Sequence, residues 1–178
     1  FVMKSIQKAE LALETKLLYA IPSTVKLIKE ARSHAVIAFT SDMYFSNEVL
    51  SDLLRKNGLL ELGEKCFVSS ELQATKMDGK LFHILKENLG EGDIHHYGDH
   101  PIADGKKAQE AGIHAHVSIP AALNENEKIL EKFTLETSGL SSLLAGISRK
   151  IRLESNDVSE LTAIASGIAG PLLVAYVD

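Results

Sequence analysis

Two kinds of hydrophobic pattern alternate along residues 1–117. Short segments of five or six residues have the length of strands, and one of them, 35–40, is a continuous apolar run, whereas the segments between them space their apolar residues as amphipathic helices do. The predicted strands are 35–40, 65–69, 93–97 and 113–117, and the predicted helices are 5–19, 23–32, 47–56, 81–88 and 105–111. Strands that alternate with helices predict an α/β fold with right-handed crossovers and a parallel sheet covered by helices on both faces.

Local signals add four expectations. Ser23 is placed to cap the second helix, and Gly58 is suited to a left-handed C-cap after the third. The run 35–40 is apolar throughout, which is typical of a strand buried on both faces. After residue 120 the pattern changes to three helix-like segments, so residues 121–178 are predicted to form a helical extension or a linker to another domain.

Composition narrows the class of protein. The chain has 178 residues, 45% of them apolar and 24% charged, which suffices for one α/β core. A formal net charge of −5 argues against a nucleic-acid partner. The single cysteine, Cys66, cannot form an internal disulfide and fits a cytoplasmic protein. No signal peptide or membrane segment is expected, because no apolar run approaches ~18 residues.

Two carboxylates follow the third predicted strand. Asp99 and Asp104 are five positions apart at the exit of this strand, and carboxylate oxygens are the ligands that a hard cation such as Mg²⁺ prefers. A phosphate-bearing ligand is the natural companion of such a cation. The alternative is structural: Gly98, Asp99 and Pro101 build a turn, and Asp104 N-caps the next helix.

Other polar side chains follow the ends of the neighbouring strands. Ser41 and Asp42 come directly after the first strand, and the loop 69–76 comes after the second. Ligands of parallel α/β sheets bind at the carboxyl ends of the strands, in the crevice where the strand order reverses. One site could therefore collect these residues together with the two carboxylates.

Three segments, taken in order, resemble the motifs of the haloacid dehalogenase-like (HAD) hydrolase superfamily. They are 39–44 (Phe-Thr-Ser-Asp-Met-Tyr), 69–79, which contains Lys76, and 98–104. The resemblance covers about residues 5–117. It implies a three-layer Rossmann-like HAD core at 33–120, a remnant helical cap region at 1–32, and Mg²⁺ as the cofactor.

The resemblance assigns roles to the first motif. Ser41, with Thr40 as the fallback, would hydrogen-bond the transferring phosphoryl group of the substrate. Asp42 would help to shape the substrate pocket, although a helix-entry or turn role explains it equally well. The form of this motif, followed by 76–82 (Lys-x-x-Gly-Lys-Leu-Phe), is similar to a bacterial branch whose members accompany glycosyltransferases in surface-polysaccharide loci. A covalently linked glycosyltransferase or second domain is therefore implied for the parent protein.

The other two motifs supply charge. Lys76, with Lys80 as the less favoured candidate, would balance the negative charge around the nucleophile and the phosphate. Asp99 and Asp104 would hold Mg²⁺ directly or through water. A phosphoryl group spreads developing charge over its oxygens, so catalysis needs a cation, a lysine and hydrogen-bond donors held in place beforehand.

The nucleophile of the superfamily is absent. It is the first Asp of an Asp-x-Asp-x-Thr type motif, and its attack gives an aspartyl-phosphate that water cleaves. Residues 1–40 contain Glu10, Glu14 and Glu30 but no Asp. The strand of this motif normally lies between the strands that end near Ser41 and Asp99, so the predicted sheet lacks a middle strand.

Three explanations are open for the missing motif: a truncated sequence, a degenerate HAD-like domain, or an enzyme completed by another chain. Truncation is favoured, because the chain starts with Phe1 and stops inside an apolar segment. The expected function of the intact parent is phosphatase activity on a small phosphorylated metabolite, whereas the chain as given is expected to be inactive. The alternative is a non-catalytic HAD-like binding or scaffold module of a carbohydrate-modifying protein.

The histidines suggest a different site. Five histidines near the third and fourth strands could act as ligands of a transition metal: His95, His96, His100, His114 and His116. Strand alternation sends neighbouring residues 95 and 96 to opposite faces, which divides this group. Packing or loop roles are therefore favoured over a zinc site.

Overall fold

The computed structural model of the chain describes residues 2–118, 122–132 and 140–154, and its fold is mixed α/β. The strands in these ranges are β1 (Ala38–Ser41), β2 (Lys65–Val68), β3 (His95–Gly98) and β4 (His114–Val117). A π-helix, Pro101–Lys106, follows β3. The α-helices are α1 (Val2–Leu17), α2 (Pro22–Ala31), α3 (Asn47–Lys56), α4 (Ser69–Leu72), α5 (Lys80–Leu89), α6 (Lys107–Glu110), α7 (Glu125–Lys132) and α8 (Leu140–Glu154).

The strands form two parallel pairs. β1 pairs with β2 in a register that sets Ser41 opposite Val68, and β3 pairs with β4 in a register that sets Gly98 opposite Val117. Within the described ranges, the two pairs are not hydrogen-bonded to each other. The alternating elements and the parallel pairing predicted from the sequence are confirmed, whereas one continuous sheet is not formed by these residues.

Helix α5 packs both strand pairs onto one hydrophobic core. Leu81, Phe82 and Leu85 are buried on one face of this helix, as their spacing predicts. They belong to a buried cluster with Phe67 of β2 and with Ile113, which directly precedes β4. Burying each large apolar side chain stabilises the fold by about 2 kcal/mol, and through this cluster α5 links the two pairs.

The strands are less covered than the sequence predicts. All four residues of β1 are only half-buried, and Val36 is 84% exposed, so the expectation of a strand buried on both faces at 35–40 is wrong. In β3 and β4, residues alternate between an exposed face and a face toward α5. The prediction of helices on both faces is therefore wrong for this pair within the described residues, since α5 covers only one side.

Helix ends show which local signals decide a boundary. Helix α2 has Ile21 as its N-cap and Pro22 at the first helical position, so the prediction that Ser23 caps it is wrong. Proline suits this position because its fixed φ is helical and the missing N–H needs no partner there. In α3 the Ser46 hydroxyl accepts the backbone N–H of Val49, and the predicted left-handed Gly58 is confirmed with φ of 68°.

Helices α7 and α8 pack against each other and are held together by a buried ion pair. Glu127 on α7 is fully buried and accepts hydrogen bonds from Nε of Arg152 at 2.7 Å and from its Nη2 at 2.9 Å. The backbone N–H of Asn124 also donates to Glu127, and Arg152 donates to the carbonyl of Ala122. The helical character predicted for 124–133 and 138–151 is confirmed where the structure describes it, while the segment predicted at 158–168 lies outside the described residues.

Candidate functional site

The loops that follow β2 and β3 meet in an ion pair. Lys76 lies in the loop between α4 and α5, and its Nζ is 2.5 Å from Oδ1 of Asp104 in the π-helix. The two side chains are 15% and 3% exposed, so solvent screens this pair little. Two residues predicted from separate motifs are therefore in direct contact.

Asp104 accepts hydrogen bonds on both carboxylate oxygens. Nε2 of His96 lies 2.8 Å from Oδ1, and the backbone N–H of His100 donates to Oδ2 at 2.9 Å. Burial alone would raise the pKa of Asp104, but the hydrogen bonds from His96 and Lys76 outweigh it and hold this pKa well below its usual value. Because an ionised carboxylate has no proton to donate, Nε2 of His96 is the donor of its hydrogen bond.

The π-helix brings Asp104 back to the end of β3. Its N-cap is His100, whose Nδ1 accepts the backbone N–H groups of Ile102 and Ala103. Asp104 lies inside this helix and directly against Gly98, so the alternative in which Asp104 is the N-cap is wrong. A π-helix has a wider turn than an α-helix and is often found at functional sites. This wider turn directs the side chain of Asp104 toward the end of β3.

Asp42 supports the backbone of the lysine loop. Both of its carboxylate oxygens accept the backbone N–H of Lys76, at 2.9 and 3.0 Å. Asp78 closes the same loop by accepting the backbone N–H groups of Thr75 and Lys80. Asp42 therefore connects the end of β1 to the position of Lys76.

The structure separates the two candidate lysines. Lys80 has a side chain that is 72% exposed, and its Nζ lies 4.0 Å from Asp78. Lys76, and not Lys80, is therefore beside Asp104. The hydroxyl residues Thr40 and Ser41 are both half-buried in β1, and strand alternation sends their side chains to opposite faces. The choice of Ser41 continues to rest on the motif.

Asp99 has a different environment from Asp104. Its side chain is 49% exposed, and its Oδ2 lies 3.4 Å from Nη2 of Arg149 on α8. This separation is longer than the 2.7–2.9 Å of a strong charge-assisted hydrogen bond. Of the two predicted cation ligands, one is thus buried and held by several donors, and the other faces solvent with one distant guanidinium.

The chemistry of these donors suits Mg²⁺. This ion takes oxygen ligands, keeps several waters, and is usually held by one or two carboxylates together with substrate phosphate. Asp99 offers an exposed carboxylate, and Oδ2 of Asp104 accepts the backbone N–H of His100. In the part of the chain that the structure describes, no three or more His, Cys, Asp or Glu side chains surround a common metal position. That Asp99 and Asp104 hold the ion, with water and phosphate completing its shell, stays a prediction.

The histidines are divided between the two faces of the β3–β4 pair. His95 and His96 face opposite sides, as predicted: His96 contacts Asp104 on the side of α5, and His95 lies on the exposed face. There Nδ1 of His95 is 2.9 Å from Nε2 of His116, with the rings inclined by 16° and their centroids 5.2 Å apart. The two nitrogens lie close to the line that joins the ring centroids, because the distance between the centroids is about equal to the N···N distance plus the radii of the two rings. This geometry is that of an N–H···N hydrogen bond rather than of two ligands converging on a metal.

Two residues of the site were not assigned by the sequence reasoning. The sequence favours a packing or loop role for His96 over a metal-ligand role, and strand alternation predicts the face of β3 on which it lies but not its hydrogen bond to Asp104. Arg149 lies 50 residues beyond Asp99, in a helix with no motif of its own, so no local signal connects them.

The interpretation of the candidate site rests on the residues described above. No family model matches the chain, and no curated protein is significantly similar to it. Among the helices that the structure describes, none is both long enough and apolar enough to cross a membrane.

Proposed function

We propose that this chain carries the phosphate and Mg²⁺ site of a HAD-like phosphohydrolase, whose intact parent acts on a small phosphorylated metabolite through an aspartyl-phosphate. The observation that carries the proposal is the contact between Lys76 and Asp104, with Asp42 holding the backbone of Lys76. A lysine and carboxylates gathered where parallel strands end form a set that suits phosphoryl chemistry.

The proposed roles follow from charge. The ammonium of Lys76 attracts the phosphoryl oxygens, while Asp104 fixes that ammonium through the ion pair and is itself fixed by His96. Ser41 would donate its hydroxyl proton to a phosphoryl oxygen. Asp99 and Asp104 would hold Mg²⁺, which supplies neutralisation of the developing negative charge.

The nucleophile is proposed to come from outside residues 1–178, because the sequence has no Asp before Asp42. The separation of the β1–β2 pair from the β3–β4 pair supports this, since a parallel strand carrying the nucleophile could stand between them. A three-layer Rossmann-like HAD core at 33–120, a helical cap region at 1–32, a linked glycosyltransferase or second domain and a cytoplasmic location are parts of the same proposal.

The test uses residues 1–178 and two ligands that need no turnover. Isothermal titration should show that inorganic phosphate binds in the presence of Mg²⁺, and that Lys76→Met lowers the affinity at least tenfold, as loss of a charge-assisted hydrogen bond implies. Lys80→Met is the matched control, because it removes the same charge from an exposed position nearby, at the start of α5. Equal phosphate affinity in Lys76→Met and the parent would contradict the proposed site.

A second candidate function is a non-catalytic HAD-like binding or scaffold module. The observation that favours it is the lack of an aspartate nucleophile in these residues. Reading the genomic sequence upstream of Phe1 separates the two candidates. An Asp-x-Asp motif in frame within the preceding ~100 residues supports the enzyme, and a reading frame that starts near Met3 supports the module.

A further inference from the structure

Three arginines of this chain have partly shielded side chains, and two of them bind a carboxylate in the same way. Arg32 places Nε 2.7 Å and Nη2 2.9 Å from the carboxylate of Glu64. Arg152 places the same two atoms at the same distances from Glu127. This edge of the guanidinium forms a fork that matches the two oxygens of an oxyanion.

Arg149 lacks the acceptor that the other two have. Its Nε is buried and has no hydrogen-bond partner, and it is the one such side-chain atom among the residues that the structure describes. A buried N–H without an acceptor has lost its hydrogen bonds to water and gained none in return, so a buried donor of this kind calls for a partner such as an ion or a ligand. Nη2 of the same fork has only the distant oxygen of Asp99, at 3.4 Å.

A chain of contacts connects this fork to the proposed phosphate site. Asp99, which lies 3.4 Å from Nη2 of Arg149, directly follows Gly98, and the side chain of Asp104, which pairs with Lys76, packs against Gly98. Helix α8 is held in place by the buried pair of Arg152 and Glu127. The guanidinium is therefore presented by a fixed helix rather than by a loop.

We propose that Arg149 binds the phosphoryl group of the substrate through its Nε and Nη2 atoms, which makes the α7–α8 helix pair part of the substrate site. This inference rests on the proposed function and extends it, because it gives a role to the region after residue 121. The ligand class is a phosphate monoester whose oxygens are shared between Lys76 and Arg149. Arg149 is then an anion-binding residue, and Asp99 keeps its proposed role toward the cation.

The experiment is a phosphate titration of residues 1–178 and of single variants, with and without Mg²⁺. Arg149→Gln should weaken the binding of inorganic phosphate about tenfold, and Arg149→Lys should fall between this variant and the parent, because an ammonium keeps the charge but not the fork. Lys150→Gln is the matched control: it removes one positive charge from the next position of α8, where the ammonium lies over the ring of Tyr19, and should bind phosphate like the parent. Circular dichroism checks that each variant is folded.

The outcomes separate this inference from the function on which it rests. If Lys76→Met loses phosphate and Arg149→Gln does not, the inference about Arg149 fails alone. If Arg149→Gln loses phosphate and Lys76→Met does not, the proposed site at Lys76 fails while Arg149 binds an anion. No phosphate binding by the parent overturns both. A loss of Mg²⁺ affinity in Arg149→Gln without phosphate would show that the residue only positions Asp99, which also overturns the inference.

Discussion

Gly98 and Asp104 are packed so closely that a Cβ on Gly98 would overlap the side chain of Asp104. This contact explains why the last residue of β3 has no side chain. It lets the π-helix fold back over the strand end and brings Asp104 to Lys76. The backbone geometry at one glycine thus determines whether the ion pair at the candidate site can form.

Gly98→Ala should therefore lower both stability and ligand binding. The added methyl group must displace Asp104 or its backbone, at a cost of about 1–3 kcal/mol for overpacking. Phosphate affinity should fall as well, because Asp104 would no longer hold Lys76 in place. Urea unfolding and phosphate titration measure the two effects.

Gly146→Ala is the control for this variant. Gly146 lies within α8, and a Cβ there would meet no atom within 4 Å. Alanine should stabilise the helix by about 0.5–1 kcal/mol, since glycine loses more conformational freedom on folding. If both alanine variants had the same stability as the parent, the close packing of Gly98 and Asp104 would be refuted.

Asp104→Asn should destabilise the fold at neutral pH by about 3 kcal/mol, because it leaves the largely shielded ammonium of Lys76 without its counter-charge. The difference between parent and variant should depend on pH. The folded-state pKa of Asp104 is lowered, so its stabilising contribution is present above the unfolded-state pKa of ~3.9 and is lost as the pH falls below that value.

The check is urea unfolding of parent and Asp104→Asn at several pH values. The gap in the free energy of unfolding should be widest near neutral pH and narrow as the pH is lowered toward 3. A gap that stays constant over this range would mean that the carboxylate of Asp104 is not ionised in the folded protein.

Glu127→Gln should loosen the α7–α8 pair. Glu127 is fully buried and paired with Arg152, and removing one charge of a buried pair costs about 3 kcal/mol. Amide hydrogen exchange in α7 should accelerate accordingly. Glu125→Gln is the control, because the side chain of Glu125 is 86% exposed and solvent screens its pair with Lys128. Equal exchange rates in the two variants would contradict a fastening role for Glu127.

Local structure could be predicted from the sequence where the signals are themselves local. Helix α3 begins and ends where predicted, because its periodic apolar face, the Ser46 cap and Gly58 all lie within its own segment. Ser23 fails as a cap because Pro22 precedes it, and the proline starts the helix one residue earlier. Where two helix-start signals of similar strength are neighbours, the sequence does not show which of them begins the helix, and the structure is needed to identify it.

The site could be predicted in part. The placement of Lys76 and Asp104 after parallel strands predicts that they share one site, by a rule of topology that the sequence pattern reveals, but it does not predict their ion pair. The hydrogen bond from His96 depends on the π-helix, which no hydrophobic period marks. The approach of Arg149 to Asp99 depends on how α8 packs, and such a long-range contact has no sequence signature.

The last prediction concerns turnover by residues 1–178. A covalent mechanism needs an attacking carboxylate, and charge stabilisation by Lys76 and a bound cation does not replace it. Asp42 is the first aspartate of the sequence, but both of its oxygens accept the backbone N–H of Lys76. We therefore expect no hydrolysis of an aryl phosphate above background in the presence of Mg²⁺.

The decisive control is Asp42→Asn. As a support of the lysine loop, Asp42 should affect phosphate affinity through the position of Lys76, so this variant should bind phosphate more weakly while hydrolysis stays at background in both proteins. Extending the chain upstream to include an Asp-x-Asp motif should restore hydrolysis, and replacing the first aspartate of that motif by asparagine should abolish it. Robust hydrolysis by residues 1–178 that disappears in Asp42→Asn would instead identify Asp42 as the nucleophile.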